Sequence, residues 1–297
     1  MMRDNSGVVN YGGTTQISRS AIGHGASVAV SADREKGADQ PRRTDVGVIT
    51  VKGNEAGAVH KVLGLRRVPT GGLPFWEGEV NTRGNVVRVA AIRALAQGQR
   101  STVVAFDHLR RHYNPAVVVL TGIAGGIDPE LPIGDVVVTT RVVYYDLRKE
   151  TPDGRRHRGD EKHAPAAIGH AVNSFFTDYG EPARLVGTDD DGVTHDYRVH
   201  TGPIGSGDAV IADAESEITK YLKAYNDKIL AVDMEAGGLM QAFHEQDGPV
   251  AVDGWAVVRG ISDDASQRKD DSRQNLAAYR AAMVLHSLLP YLSIDGG

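Results

Sequence analysis

From residue 45 onward the chain alternates between two periodicities. Short apolar runs rich in Val and Ile, bounded by glycine or polar residues, predict buried strands at 46–51, 85–90, 116–120, 135–140, 199–205, 229–232 and 254–259. Between them apolar positions recur every three or four residues, which predicts helices at 55–63, 100–113, 164–177, 213–224, 234–244 and 274–289. Strands of this kind separated by amphipathic helices imply an α/β domain: a central mixed sheet flanked by helices in three layers. Two polar stretches, 148–163 and 187–196, interrupt the alternation and read as insertions. Residues 1–44 break the pattern altogether. They are rich in Gly, Ser, Thr and Asn, with short strands conceivable at 16–22 and 27–32 and a flexible linker at 37–43. We take 1–44 as an appendage, partly ordered or docked on a partner, and 45–293 as one α/β domain.

Polar residues sit where the strands end. In open α/β sheets ligands bind beyond the carboxyl ends of the strands. The first strand leads to Glu55; the third ends in "TGIAGGI", with Gly122, Gly125 and Gly126; "GSGDAVI" carries Ser206, Asp208, Val210 and Ile211. "AVDMEA" delivers Asp233, Met234 and Glu235, and "VVRGISDDAS" ends in Ser262 and Asp263. Each cluster also has a purely structural reading. Asp233 can cap a helix, with Glu235 or Glu55 in a first turn favoured by the helix dipole, and Ser262 with Asp263 can cap the segment that follows. The glycine stretch lacks the G-x-G-x-x-G order, and Pro129 and Pro132 forbid a helix after it, so dinucleotide binding is rejected. A strand–glycine loop–strand remains, in which glycines let the backbone approach a flat ligand.

Composition narrows the classes. Of 297 residues none is cysteine, which excludes disulfides, thiolate catalysis and Cys-ligated zinc and suits a reducing compartment. The formal charge of −5 gives no general attraction to nucleic acid or anionic membrane. No apolar run has the length of a membrane span and no signal-type segment opens the chain. The expectation is a soluble cytoplasmic protein.

Taken in order, "TGIAGGI…GDVVV", "SGDAVI", "VDMEA" and "RGISD", with the acid after the first strand, resemble the nucleoside phosphorylase/nucleosidase superfamily. The likeness is nearest to 5′-methylthioadenosine/S-adenosylhomocysteine nucleosidases and their relatives in multidomain bacterial and fungal defence proteins, and it covers about 45–289. It implies hydrolysis of the N-glycosidic bond of a purine nucleoside, with no cofactor and no metal, by a homo-oligomer, most simply a dimer. Carried onto this sequence, Asp263 is the acid that protonates the leaving base, which near neutral pH requires a desolvated carboxyl, and Ser262 orients it. Glu55 positions and activates water, the second carboxylate of a hydrolytic pair. Glu235 accepts hydrogen bonds from the ribose 2′- and 3′-hydroxyls. Met234 packs on the sugar, and Gly125, Val210 and Ile211 border the base. Asp233 is left as a cap or supporting group. The sequence departs from the pattern at Ile123, where well-known nucleosidases carry serine, at Val210, where an aromatic often covers the base, and in the longer insertion 148–163.

Three rivals remain open. Phosphorolysis needs a cationic anion pocket, for which Arg88 and "GQR" at 98–100 are the candidates. A nucleotide such as AMP or ATP could be the substrate of a defence effector, its phosphate meeting the insertion 148–163, which holds six Lys or Arg against four acids. A catalytically inert purine-nucleoside sensor signalling through 1–44 is the third. His108 and His112 have metal-ligand spacing but lack the HExxH glutamate and read as surface residues; Trp76 and Trp255 read as packing residues.

Overall fold

The computed structural model describes residues 44–188, 194–211, 213, 215–247, 250–265 and 271–292. The strands are β1 (Val46–Thr50), β2 (Arg66–Thr70), β3 (Leu73–Asn81), β4 (Val86–Arg93), β5 (Val117–Gly126), β6 (Val136–Thr139), β7 (Arg141–Tyr144), β8 (Arg148–Thr151), β9 (Gly154–His157), β10 (Asp160–His163), β11 (Ala183–Thr188), β12 (Thr194–Thr201), β13 (Ile204–Ser206), β14 (Ala231–Asp233) and β15 (Gly254–Asp263). The helices are α1 (Gly53–Leu63), α2 (Gln99–Tyr113), α3 (Ala166–Tyr179), α4 (Glu217–Tyr225), α5 (Ala236–His244) and α6 (Asp271–Leu292). None of these helices is long and apolar enough to cross a membrane.

β5 is the axis of a mixed sheet. Its first half runs parallel to both β1 and β15, and its glycine-rich end turns to pair antiparallel with β14. Beyond β1 the sheet continues through β4, β3 and β2; beyond β14 it continues through β13, β7 and β10, while β15 carries β6, β12 and β11. Alternate side chains of the central strands enter two different cores. Val46, Val48, Val117, Val119, Ala256 and Val258 pack with Val59 and Leu63 of α1, Phe175 of α3 and Leu285 of α6. Ile49, Val118, Leu120, Trp255 and Val257 pack on the other face with Phe106 and Leu109 of α2 and Leu239 of α5. Helices therefore cover both faces, the three-layer arrangement expected from the alternating periods.

The structure corrects several expectations. The glycines at 122–126 form no loop; they continue β5, because only hydrogen side chains leave room there for groups from α1 and β15. The expected strand 254–259 extends to Asp263. Residues 199–205 fall into two strands separated at Gly202 and Pro203, and 135–140 ends before a further strand, β7. The polar insertion 148–163 holds a separate exposed hairpin, β8–β9, and the edge strand β10. β2 and β3 were missed: β2 is a mostly exposed edge strand containing Pro69, so it shows no apolar alternation. The strands expected at 16–22 and 27–32 lie outside the described residues.

Candidate active site

Glu55, Gly125, Val210, Ile211, Met234, Glu235, Ser262 and Asp263 all line one cleft, of about 140 Å³, beyond the carboxyl ends of β1, β5, β14 and β15. Sequence analysis singled out each of them, and the chain brings them together from five separate segments.

Glu55 enters from the first turn of α1 and is buried. Its Oε2 accepts from the backbone N–H groups of Val51 and Lys52, both at 2.8 Å, and its Oε1 accepts from Ile123 N–H at 3.0 Å. An ionised carboxylate offers about four lone-pair sites. Three are taken by fixed backbone donors, so the carboxylate is held rigidly with capacity for one more. A methyl group at Gly122 would lie 2.5 Å from Glu55 Oε1 and would overlap Arg259 Nη1, which explains why this position of β5 is glycine.

Arg259 is the buried charge beside the cleft that sequence reasoning missed. It lies within a buried strand, fully enclosed, between two carboxylates. Nε and Nη2 donate to Asp233 Oδ2 at 2.9 and 2.5 Å, and Nη2 also donates to Glu235 Oε2 at 3.1 Å. Nη1, beside Glu55 over Gly122, has no hydrogen-bond partner among the described residues. Burial pulls the guanidinium down, but Asp233, Glu235 and Glu55 outweigh it and hold the group above its ordinary pKa. An arginine inside an otherwise apolar run, "WAVVRGI", was the available signal: such a residue is rarely buried unless paired.

Glu235 is pushed up from the ordinary carboxylate range, first by burial; Arg259 opposes that shift, the charge of Asp233 adds to it, and Gly98 N–H, donating to Oε1 at 3.1 Å, also opposes it. Two of its lone-pair sites are therefore used and two face the cleft. Asp233 has no spare capacity. Besides Arg259 it accepts from Ser206 Oγ at 2.6 Å and from the N–H groups of Glu235 and Ala236 at 3.3 and 3.1 Å. It supports the loop and delays the helix expected from 234 until Ala236, the supporting role expected of it. Ser206 Oγ in turn accepts from Gln99 Nε2 and Gly237 N–H, and Gln99 Oε1 accepts from Gly238 N–H. This network joins the first turns of α2 and α5, and Gly238 is required there because a side chain would overlap the Gln99 carbonyl.

At the other end, Ser262 Oγ donates to Asp263 Oδ2 at 2.8 Å, and Ala265 N–H donates to Oδ1 at 3.0 Å. The pairing of β15 with β5 slips by one residue between Ile261 and Asp263, a bulge that re-aims this pair toward the cleft. A methyl at Gly125 would stand 2.9 Å from Asp263 Oδ1.

The anion-pocket candidates are not here. Arg88 is bound to Asp45 at 2.9 Å, outside the cleft lining, and Arg100 is exposed on α2. In the hairpin, Arg148 and Arg155 pair with Glu150 at 3.0 and 3.3 Å. His108 and His112 are half-buried rather than exposed, because His112 packs on Phe75 and fills the space over Gly71. Trp255 is buried, and Trp76 stacks on His60 at 3.7 Å.

Comparison with known families gives one match over residues 45–290, to the phosphorylase superfamily. The chain belongs to that superfamily. Among curated relatives it is 26% identical over 263 residues to the ATP nucleosidase Cap17 of Escherichia coli (strain KTE188), covering 82% of this chain and 50% of that one. The chain thus spans about half the length of that relative. It is 28% identical over 263 residues to the 5′-methylthioadenosine/S-adenosylhomocysteine nucleosidase of Mycobacterium bovis, covering 84% of this chain and 98% of that one. In fold it is similar to the Neisseria meningitidis 5′-methylthioadenosine/S-adenosylhomocysteine nucleosidase crystallised with methylthio-immucillin-A. There the TM-score is 0.60 at 23% identity, over 82% of this chain and 98% of that one. Futalosine hydrolase of Helicobacter pylori aligns with a TM-score of 0.61 at 17% identity, over 83% and 97%.

Proposed function

We propose that this superfamily member hydrolyses the N-glycosidic bond of a purine, most simply adenine, nucleoside to free base and ribose product. The observation that carries the reading is the convergence of Glu55, Glu235 and Asp263 on one cleft. Cleavage builds positive charge on the ribose and negative charge on the leaving base. Asp263, steered by Ser262, supplies the proton to the base, a contribution of about 10²–10⁴ in rate for a placed acid. Glu55 uses its remaining lone pair to hold and deprotonate water. Glu235 spends its two free lone pairs on the ribose 2′- and 3′-hydroxyls, and its charge lies next to the developing oxocarbenium ion. Met234 packs on the sugar, while Gly125, Val210 and Ile211 border the base. Water rather than phosphate suits a nucleophile site backed by a carboxylate.

The relatives named above as nucleosidases support this reading. We further place the enzyme in the cytoplasm, which its cysteine-free sequence suits, and propose that it is a homodimer joined through the exposed apolar residues Leu95, Val103 and Val104 near the start of α2. Incubating the protein with adenosine, 5′-methylthioadenosine and S-adenosylhomocysteine, with and without inorganic phosphate, and separating the products tests the reaction. Adenine and free ribose product without phosphate are expected. No base release from any purine substrate, or release only with phosphate and as ribose 1-phosphate, overturns it. Sedimentation tests the dimer, and a monomer at micromolar concentration refutes it.

A further inference from the structure

We propose that Lys52 and Gln274 form an anion subsite in the cleft wall, and that the preferred substrate is a purine nucleoside carrying a 5′-phosphate. The inference rests on the nucleoside-hydrolase reading. Four carboxylates line the cleft, those of Glu55, Asp233, Glu235 and Asp263; Lys52 is the one lysine or arginine among the lining residues. It is half-buried. Among the described residues its ammonium is bonded to a neutral amide, Gln274 Oε1 at 3.0 Å, rather than to a carboxylate. A half-buried cation in an acidic cleft without an ion-pair partner is poised for an anionic ligand.

The geometry is built rather than incidental. Lys52 stands at the start of α1 and Gln274 in the first turns of α6, and a second bond, Asn54 Nδ2 to Asn275 Oδ1 at 3.1 Å, ties the same two helices beside them. With its oxygen held by Lys52, Gln274 keeps its amide NH₂ as a donor, and the ammonium keeps two further protons. The other parts of a nucleoside already have partners: the base has Asp263, the diol has Glu235 and the anomeric face has Glu55. The 5′ substituent is what remains, and Lys52 is the one cation on the lining left for it. A phosphate accepts from both Lys52 and Gln274. An uncharged thioether is only a weak acceptor and strips water from the ammonium. Repulsion from the cleft acids is reduced, because Arg259 offsets one of the two charges on Asp233 and Glu235.

The test is kcat/KM for adenine release from AMP, ATP, adenosine and S-adenosylhomocysteine by the wild type, Lys52→Met and Lys52→Arg. The wild type is expected to prefer AMP or ATP over adenosine at least about tenfold. Lys52→Met should cut that ratio about 10- to 100-fold, the range for losing a hydrogen bond to a charged group, and Lys52→Arg should keep most of it. Each ratio is read within one preparation, so a loss of folded protein cancels. An unchanged ratio in Lys52→Met with adenine still released overturns the subsite and leaves the hydrolase standing. A loss confined to S-adenosylhomocysteine overturns the phosphate in favour of an amino-acid carboxylate. Dependence on inorganic phosphate that Lys52→Met abolishes moves the site to the nucleophile and overturns it as well. Failure of the wild type on every substrate removes the hydrolase reading itself.

Discussion

Replacing Arg259 with methionine keeps most of the side-chain volume and removes the charge between two enclosed carboxylates. Three hydrogen bonds at 2.5–3.1 Å disappear, and the partners are 1% and 7% exposed, so water cannot take over. Removing one member of a buried ion pair costs about 3–5 kcal/mol, a large share of the roughly 5–15 kcal/mol that holds a domain folded. At about 2–4 °C per kcal/mol for a domain of this size, the melting temperature should fall by about 6–20 °C. The cost also has a pH signature. Burial already raises Glu235, and Arg259 opposes that rise; without the arginine the Glu235 carboxyl moves further up. A carboxyl whose folded pKa exceeds its unfolded value of about 4.3 gives stability that is complete below that value. This stability drains away as pH climbs through the folded pKa. The deficit of Arg259→Met relative to wild type should therefore be largest near pH 8 and shrink toward pH 5. Equilibrium urea unfolding of both proteins at the two pH values measures it. A deficit below about 1 kcal/mol at pH 8, or one equal at both pH values, refutes the view that this arginine neutralises the buried acids.

Asp263→Asn should lose about 10²–10⁴ in turnover while still binding substrate by calorimetry; near-wild-type turnover removes it from the acid role. Glu235→Gln should weaken nucleoside binding more than free adenine, and equal losses in competition assays would falsify the diol assignment. Gly122→Ala forces a methyl between Glu55 and Arg259, so about 1–3 kcal/mol of stability and most activity should go together. A stable, active Gly122→Ala protein, by urea titration and adenine release, contradicts the packing described.

The residues that were legible from sequence share a property. Glu55, Glu235, Ser262 and Asp263 are polar residues just past apolar runs, where a strand's burial stops and chemistry can start. Arg259 escaped because it lies inside such a run, and its partners, Asp233 and Glu235, are joined to it only by the fold. The glycines from 122 to 126 looked like a loop because glycine is a poor strand former. What places them in β5 is the crowding of Glu55, Arg259 and Asp263, which no local pattern encodes. Lys52 drew no notice in the sequence, because Gln274, more than two hundred residues later, reaches it only in the fold. The two core faces, by contrast, were readable in the alternation itself, and β2, exposed at the sheet edge, was not.

The first turns of α2 and α5 lie so close that a glycine hydrogen is all that separates Gly238 from the Gln99 carbonyl, and Gly98 N–H reaches the Glu235 carboxylate across the same seam. The consequence is mechanical. The residue just before the helix that presents Val103 and Val104 outward anchors the carboxylate we propose for the sugar, so a partner seated on that outer surface is expected to adjust the grip.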